Sequence, residues 1–128
     1  MSYCFSRIVE MSFNEAIDKV TVELKKEGFG ILTDIDVKAT LKKKLSVEFK
    51  NYRILGACNP PFAYQALQAE DKIGLMLPCN VIVRETEEGD IEIAAIDPIA
   101  SMQAVNNPKL AEVGSEVSKK LKKVIENL

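Results

Sequence analysis

The chain has 128 residues, a formal net charge of −2, and neither histidine nor tryptophan. Its 47% hydrophobic and 28% charged residues are typical of an ordinary globular domain, and its length predicts a single domain over residues 1–128. The missing histidine excludes the Ser-His-Asp triad, the Cys-His pair and every histidine-containing metal site within one chain. The near-neutral charge argues against nucleic acid as a partner, because general affinity for it needs a basic face.

The three cysteines indicate a reducing compartment. Cys4, Cys58 and Cys79 are odd in number and widely spaced, so they do not form a disulfide framework. The first residues show no secretory signal, and no run reaches the ~20 apolar residues of a membrane helix. Cys58 and Cys79 also lack the C-x-x-C spacing of zinc or redox sites. We expect a cytoplasmic protein with free thiols, no metal, no cofactor and no membrane partner.

The first third of the chain predicts a strand, a helix and a second strand. Residues 3–9 are aromatic and β-branched, as in a strand. Ser12 and Glu15 form an S-x-x-E capping box, which predicts a helix that ends at Gly28. Residues 31–37 alternate with the period of a strand. That alternation predicts four inward side chains: Ile31, Thr33, Ile35 and Val37.

Two acidic residues and a short helix follow from the same stretch. Asp34 and Asp36 lie on the opposite face of the predicted strand, where they could form an acid/base pair or simply contact solvent. Residues 40–49 predict a short helix, with three apolar positions that would cover the sheet edge: Leu41, Leu45 and Phe49.

The middle of the chain predicts a strand, a helix and a buried connector. Residues 52–58 form the strand, and Asn59 with Pro60 is typical of a helix start in which asparagine is the N-cap. Residues 60–70 form this helix, and residues 73–78 form the connector. The helix has four residues on its inner side: Phe62, Ala63, Ala66 and Leu67.

The last part of the chain predicts a hairpin and a long helix. Residues 79–85 and 91–96 pair around a turn at Gly89, and Asp97 precedes a short helical stretch. Asn107 and Pro108 open the last helix. Its apolar positions form a narrow seam: Leu110, Val113, Val117, Leu121, Val124 and Leu128. This seam fits either packing on the chain's own sheet or a homodimer contact.

These elements predict the fold class α+β. Hairpin-compatible strands with flanking helices favour a two-layer sandwich in β-α-β4-α order, with a mainly antiparallel sheet and helices packed on one face.

Antiparallel neighbours among the strands 52–58, 79–85 and 91–96 would bring five polar or thiol-bearing residues to one edge of the sheet. These candidate ligand-binding residues are Cys58, Asn59, Cys79, Asn80 and Asp97. Cys58 also precedes a capped helix, whose N-terminal dipole favours a thiolate. The expected site is a small polar pocket, although cysteines are often buried as small hydrophobic residues and Asn59 and Asp97 are typical caps.

Several blocks of the sequence resemble one known family. They are 52–61 (YRILGACNPP), 73–81 (IGLMLPCNV) and 95–98 (AIDP), together with residues 28–30 (GFG) and 34–38 (DIDVK). They resemble the family called domain of unknown function 302 over nearly the whole chain. The resemblance implies a small bacterial or archaeal cytosolic protein with a β-α-β4-α fold akin to the TATA-binding-protein-like group, and it implies dimers. It implies no activity.

Three functions therefore stand as hypotheses. The first is a homodimeric binding module that holds a small ligand near Cys58, Cys79 and Asp97. The second is a thiol-dependent enzyme with Cys58 as nucleophile and a base other than histidine. The third is a structural or interaction protein that uses its C-terminal helix.

Overall fold

The computed structural model describes residues 2–128, which form a five-stranded antiparallel sheet and five α-helices. The strands are β1 (Cys4–Val9), β2 (Gly30–Asp36), β3 (Tyr52–Cys58), β4 (Cys79–Glu85) and β5 (Ile91–Ile96). The helices are α1 (Phe13–Lys26), α2 (Val37–Leu45), α3 (Pro60–Ala69), α4 (Pro98–Met102) and α5 (Lys109–Glu126). The strands lie in the order β1-β5-β4-β3-β2. The α+β class and the antiparallel sheet are confirmed.

Helix α1 begins and ends where the sequence predicts. Ser12 Oγ accepts a hydrogen bond from the backbone N–H of Glu15 at 3.1 Å, and Glu15 Oε1 accepts one from the N–H of Ser12 at 3.2 Å. After the helix the chain turns at Gly28, whose φ of +89° is readily adopted only by glycine. The helix buries Ala16, Val20 and Leu24 in the core.

The core lies between one face of the sheet and the helices α1 and α5. The covered face supplies alternate residues of the central strands, which are almost fully buried: Leu55, Ala57, Val81, Val83, Ile93 and Ala95. From α5, five seam residues are buried: Leu110, Val113, Val117, Leu121 and Val124. The apolar seam of the C-terminal helix therefore belongs to the core, and its spacing gives no indication of a partner helix.

The predicted orientation of β2 is wrong beyond its first residues. A register shift between Ile31 and Thr33 interrupts the pairing with β3, so the alternation of side chains changes phase there. Ile31 pairs with Ala57 of the covered face, but Thr33 pairs with Gly56 and Ile35 pairs with Ile54, which lie on the opposite face. Only Ile31 among the four residues of the predicted set points toward the core from this strand.

Asp34 and Asp36 both lie beside Arg53. Arg53 Nη1 donates to Asp34 Oδ2 at 2.9 Å, and Arg53 Nε lies 3.6 Å from Asp36 Oδ2. Asp36 also caps α2, because its Oδ1 accepts from the N–H of Ala39 at 2.9 Å. This cap starts the helix at Val37, which the sequence had placed in the strand.

Two other local predictions are wrong. Helix α2 ends at Leu45, since Ser46 adopts a left-handed conformation, and Leu45 is 65% exposed instead of covering the sheet edge. Phe49 lies beyond the helix and is also exposed. The connector at 73–78 buries Ile73, but Leu75 is 85% exposed. In both stretches, apolar side chains are therefore in contact with solvent.

Candidate functional site

The end of β3, the start of β4 and the end of β5 meet at one end of the sheet, as the sequence predicts. Ala57 pairs with Cys79, and Val81 pairs with Ala95. Because side chains alternate along a strand, this end of the sheet has two separate faces. Residues that are neighbours in the sequence, such as Cys79 and Asn80, therefore contact different surroundings.

A pocket of about 300 Å³ opens on the covered side of this end, between the sheet, α3 and α5. Phe62, Ala63, Ala66 and Leu67 line it from α3 and Val113 and Val117 line it from α5. Cys58, Asn59 and Cys79 of the predicted site also line it, while Asn80 and Asp97 do not. We call this cavity the α3/α5 pocket.

The α3/α5 pocket is apolar, so the expectation of a polar pocket is wrong. Asn59 contributes the only side-chain amide, and the other lining side chains are hydrocarbon or sulfur-containing. Three small residues, Ala57, Ala63 and Ala66, stand at positions where larger side chains would fill the space. The four inward residues predicted for α3 are all in its wall. The small residues among these four, Ala63 and Ala66, are therefore the feature of the sequence that indicates the pocket.

Cys79 is a buried thiol and not a nucleophile at neutral pH. Burial raises its pKa to about 11, and the neighbouring Cys58 thiol adds a smaller effect in the same direction. Because a thiol reacts as the thiolate, Cys79 is inert in the folded protein at pH 7. This supports a structural role for Cys79 as part of the pocket wall.

Cys58 is placed differently from Cys79. It is the last residue of β3, it is half-buried, and it lies just before α3, with only Asn59 between them. It contributes to the wall of the pocket. Cys58 is therefore the more exposed of the two cysteines in the pocket wall.

Asn59 does not act as the predicted helix cap. Its side chain makes no bond to the first turn of α3. Instead, Asn59 Nδ2 donates to the backbone carbonyl of Glu27, at the end of α1, at 3.1 Å. The buried amide packs against Gly28, where an added Cβ would lie 3.0 Å from Nδ2. Asn59 thus connects the start of α3 to the end of α1.

Asn80 and Asp97 lie at the same end of the sheet but outside the pocket, so the five predicted residues do not share one site. Asn80 is exposed on the opposite face of the sheet, in a separate depression beside Pro78 and Ile96. Asp97 caps α4, because its Oδ1 accepts from the N–H of Ile99 at 3.0 Å. Asn80 faces away from the pocket because side chains alternate along β4. Asp97 lies outside the pocket because its carboxylate caps α4.

A lysine stands beside the pocket wall. Lys120 follows Val113 and Val117 at helical spacing on α5, and its Nζ lies 6.0 Å from the ring centroid of Phe62. Among residues 2–128, no carboxylate lies within 4.0 Å of this ammonium group. The neighbouring Lys119 and Lys123, in contrast, each have an acidic partner.

Among residues 2–128, no group of three or more cysteine, aspartate or glutamate side chains is placed to hold a metal ion. No helix in the described part of the chain is both long and apolar enough to cross a membrane.

The family of this chain follows from the family model that it matches. The model described as domain of unknown function DUF302 matches residues 5–128. The chain belongs to the DUF302 family. The crystal structure of an uncharacterized conserved DUF302 protein from Bacillus stearothermophilus is similar, with a TM-score of 0.91 and 28% identity over 98% of each chain. No curated protein matches. The DUF302 fold is thus shared in full, and the family brings no activity with it.

Proposed function

We propose that this DUF302 protein is a single-domain cytoplasmic binding module that holds a small, mainly apolar molecule in the α3/α5 pocket. The observation that carries the proposal is the pocket itself, an apolar cavity of about 300 Å³ beside a well-packed core. Pockets that bind small molecules are concave, mostly apolar and few in number per protein. The three free cysteines favour the reducing cytoplasm.

The volume sets the size of the ligand. An apolar cavity of roughly 150 Å³ accommodates a benzene molecule. The α3/α5 pocket, at about 300 Å³, corresponds to a molecule of roughly twelve non-hydrogen atoms. A straight hydrocarbon chain of medium length or a substituted aromatic ring fits this size.

Lys120 favours a ligand with a negatively charged end. Its ammonium group lies 6.0 Å from the ring centroid of Phe62, a wall residue of the pocket, and no carboxylate within residues 2–128 lies within 4.0 Å of it. An acidic group on a ligand whose apolar part lies against Phe62 would come within reach of Lys120. At a half-exposed site such an ion pair strengthens binding by about two- to fivefold.

The experiment is an NMR titration with 1-octanol and with octanoate. We expect both to shift amide resonances of α3 and α5, with a dissociation constant on the order of 1 mM for a ligand of this size. Ala63→Leu fills the pocket from its wall and should abolish the shifts while the protein stays folded. Gln65→Leu is the matched control, because Gln65 is on the solvent side of the same helix and outside the pocket.

A second pair of variants tests whether a negatively charged end of the ligand strengthens binding. Lys120→Met should weaken octanoate two- to fivefold and leave octanol unchanged, whereas Lys122→Met on the exposed side of α5 should change neither. If neither ligand shifts α3 or α5 in the wild type, the binding proposal is wrong. If Lys120→Met changes the affinities for octanol and octanoate equally, only the proposed contact between Lys120 and the charged end of the ligand is wrong.

A thiol-dependent enzyme with Cys58 as nucleophile is the second candidate. It is favoured by the position of Cys58 in the pocket wall, close before the N-terminus of α3. The rate of Cys58 alkylation against pH distinguishes the two candidates. A rate that is already maximal near pH 7 supports the enzyme, and a rate that rises only above about pH 8, as for a free thiol, removes its support.

We also propose that the module is a homodimer. Because the apolar positions of α5 are buried in the core, the contact between the two copies lies on another surface of the fold.

A further inference from the structure

The sheet has a second face, opposite to α1 and α5, that is unusually apolar. Its middle row runs across all five strands through directly paired residues: Ile35, Ile54, Ile82, Ala94 and Ser6. None of these five side chains is fully buried. An antiparallel sheet with one solvated face normally places polar residues on it. Three isoleucines side by side in the middle row are therefore unexpected.

The rows on either side continue this surface. On one side, Cys4 pairs with Ile96, and Gly56 pairs with both Thr33 and Asn80. On the other side, Tyr52 pairs with Arg84, Arg84 with Glu92, and Glu92 with Ile8. We call these three rows the open sheet face.

At the edges of the open sheet face, apolar side chains are well exposed. Ile8 on β1 is 50% exposed, and Ile35 on β2 is 48% exposed. Leu75 and Met76 line a depression beside Asn80 and Ile96 and are exposed as well. A patch of this kind on a soluble domain marks an interaction surface.

We propose that the open sheet face is the contact between two copies of this chain. The proposal rests on the homodimer inferred above, but it does not depend on the pocket. The only charged side chains on the face, Arg84 and Glu92, form an ion pair with each other at 2.6 Å. The face therefore carries no net charge, so two copies meet without like-charge repulsion.

The geometry also suits a symmetric pair. A two-fold contact brings the same patch of both copies together, which sets isoleucine rows against isoleucine rows. Five strands at ~4.8 Å spacing and ~20 Å length present about 500 Å² in projection, and side-chain relief increases the accessible area. This approaches the ~800 Å² per partner that a stable interface buries. The α3/α5 pocket lies on the other side of the sheet.

The test is the molar mass of the full chain by sedimentation equilibrium. We expect about twice 14.2 kDa for the wild type. Ile54→Lys/Ile82→Lys places two charges in the middle of the open sheet face, where the long side chains still reach solvent in a monomer. This variant should be a folded monomer, with a dimer dissociation constant raised by more than roughly 100-fold. Val22→Lys, at an exposed position of α1, is the matched control and should remain dimeric.

The outcomes distinguish a wrong oligomeric state from a wrong contact surface. A monomeric wild type overturns both the homodimer and its surface. A wild-type dimer that persists in the Ile54→Lys/Ile82→Lys variant overturns the surface alone. If that variant fails to fold, Ile8→Lys/Ile35→Lys is measured by the same criterion, because both side chains are already half in solvent on the edge strands.

Discussion

The buried thiol of Cys79 gives the most quantitative prediction. Burial in the wall of the α3/α5 pocket raises its pKa from 9.0 to about 11. The unfolded chain loses this proton near pH 9, whereas the folded protein retains it until about pH 11. Folding stability therefore falls as the pH rises between these values, because the unfolded state binds fewer protons.

The size of the effect follows from the shift. One pKa unit corresponds to about 1.4 kcal/mol, so the Cys79 contribution amounts to about 3 kcal/mol, fully present below pH 9 and lost by about pH 11. The side chain is only 8% exposed, so solvent screens little of it. The assay is urea unfolding at several pH values, for the wild type and for Cys79→Ala.

The two proteins share every other titrating group, so the difference between their pH profiles isolates Cys79. The Cys58→Ala variant is the control, since desolvation is the larger cause of the shift and the neighbouring thiol is the smaller one. It should keep most of the loss of stability between pH 9 and 11. Parallel profiles for the wild type and Cys79→Ala would show that Cys79 is not desolvated.

Three further substitutions test the packing, each by the free energy of unfolding in urea. Gly56→Ala should cost about 1–3 kcal/mol, because its Cβ would lie 2.2 Å from Thr33 Oγ1 and 2.8 Å from Pro78 Cγ; a neutral result would contradict this close packing. Leu121→Ala should cost about 2–5 kcal/mol, since the side chain is fully buried, and a cost below 1 kcal/mol would mean that α5 is not part of the core. Asn59→Ala should cost about 1 kcal/mol through the lost bond to the end of α1, and no loss of stability would argue against that connection.

Periodicity and capping were sufficient to predict most of the architecture. The Ser12 and Glu15 box and the strand alternations are local signals, and local signals determine where elements begin and which face they bury. The meeting of Cys58 and Cys79 at one end of the sheet also followed from the short connections between antiparallel strands.

The failures come from interactions that a sequence pattern does not display. The register shift after Ile31 depends on how β2 pairs with β3, so the strand's own alternation gave the wrong face. Asn59 has the sequence signature of a cap, but the end of α1 offers its amide a carbonyl partner. The polarity of the pocket was wrong for a similar reason, because Asn80 points away from Cys79 across the sheet.

Xenon binding in a pressurised crystal shows whether the α3/α5 pocket accepts an apolar occupant. Apolar cavities of sufficient size bind xenon without help from polar groups. We expect a xenon peak beside Ala63, Val113 and Val117, absent from crystals of the Ala63→Leu variant. A pocket that holds only ordered water, or one that side chains fill in the wild-type crystal, would mean that the pocket is not a binding site for apolar molecules.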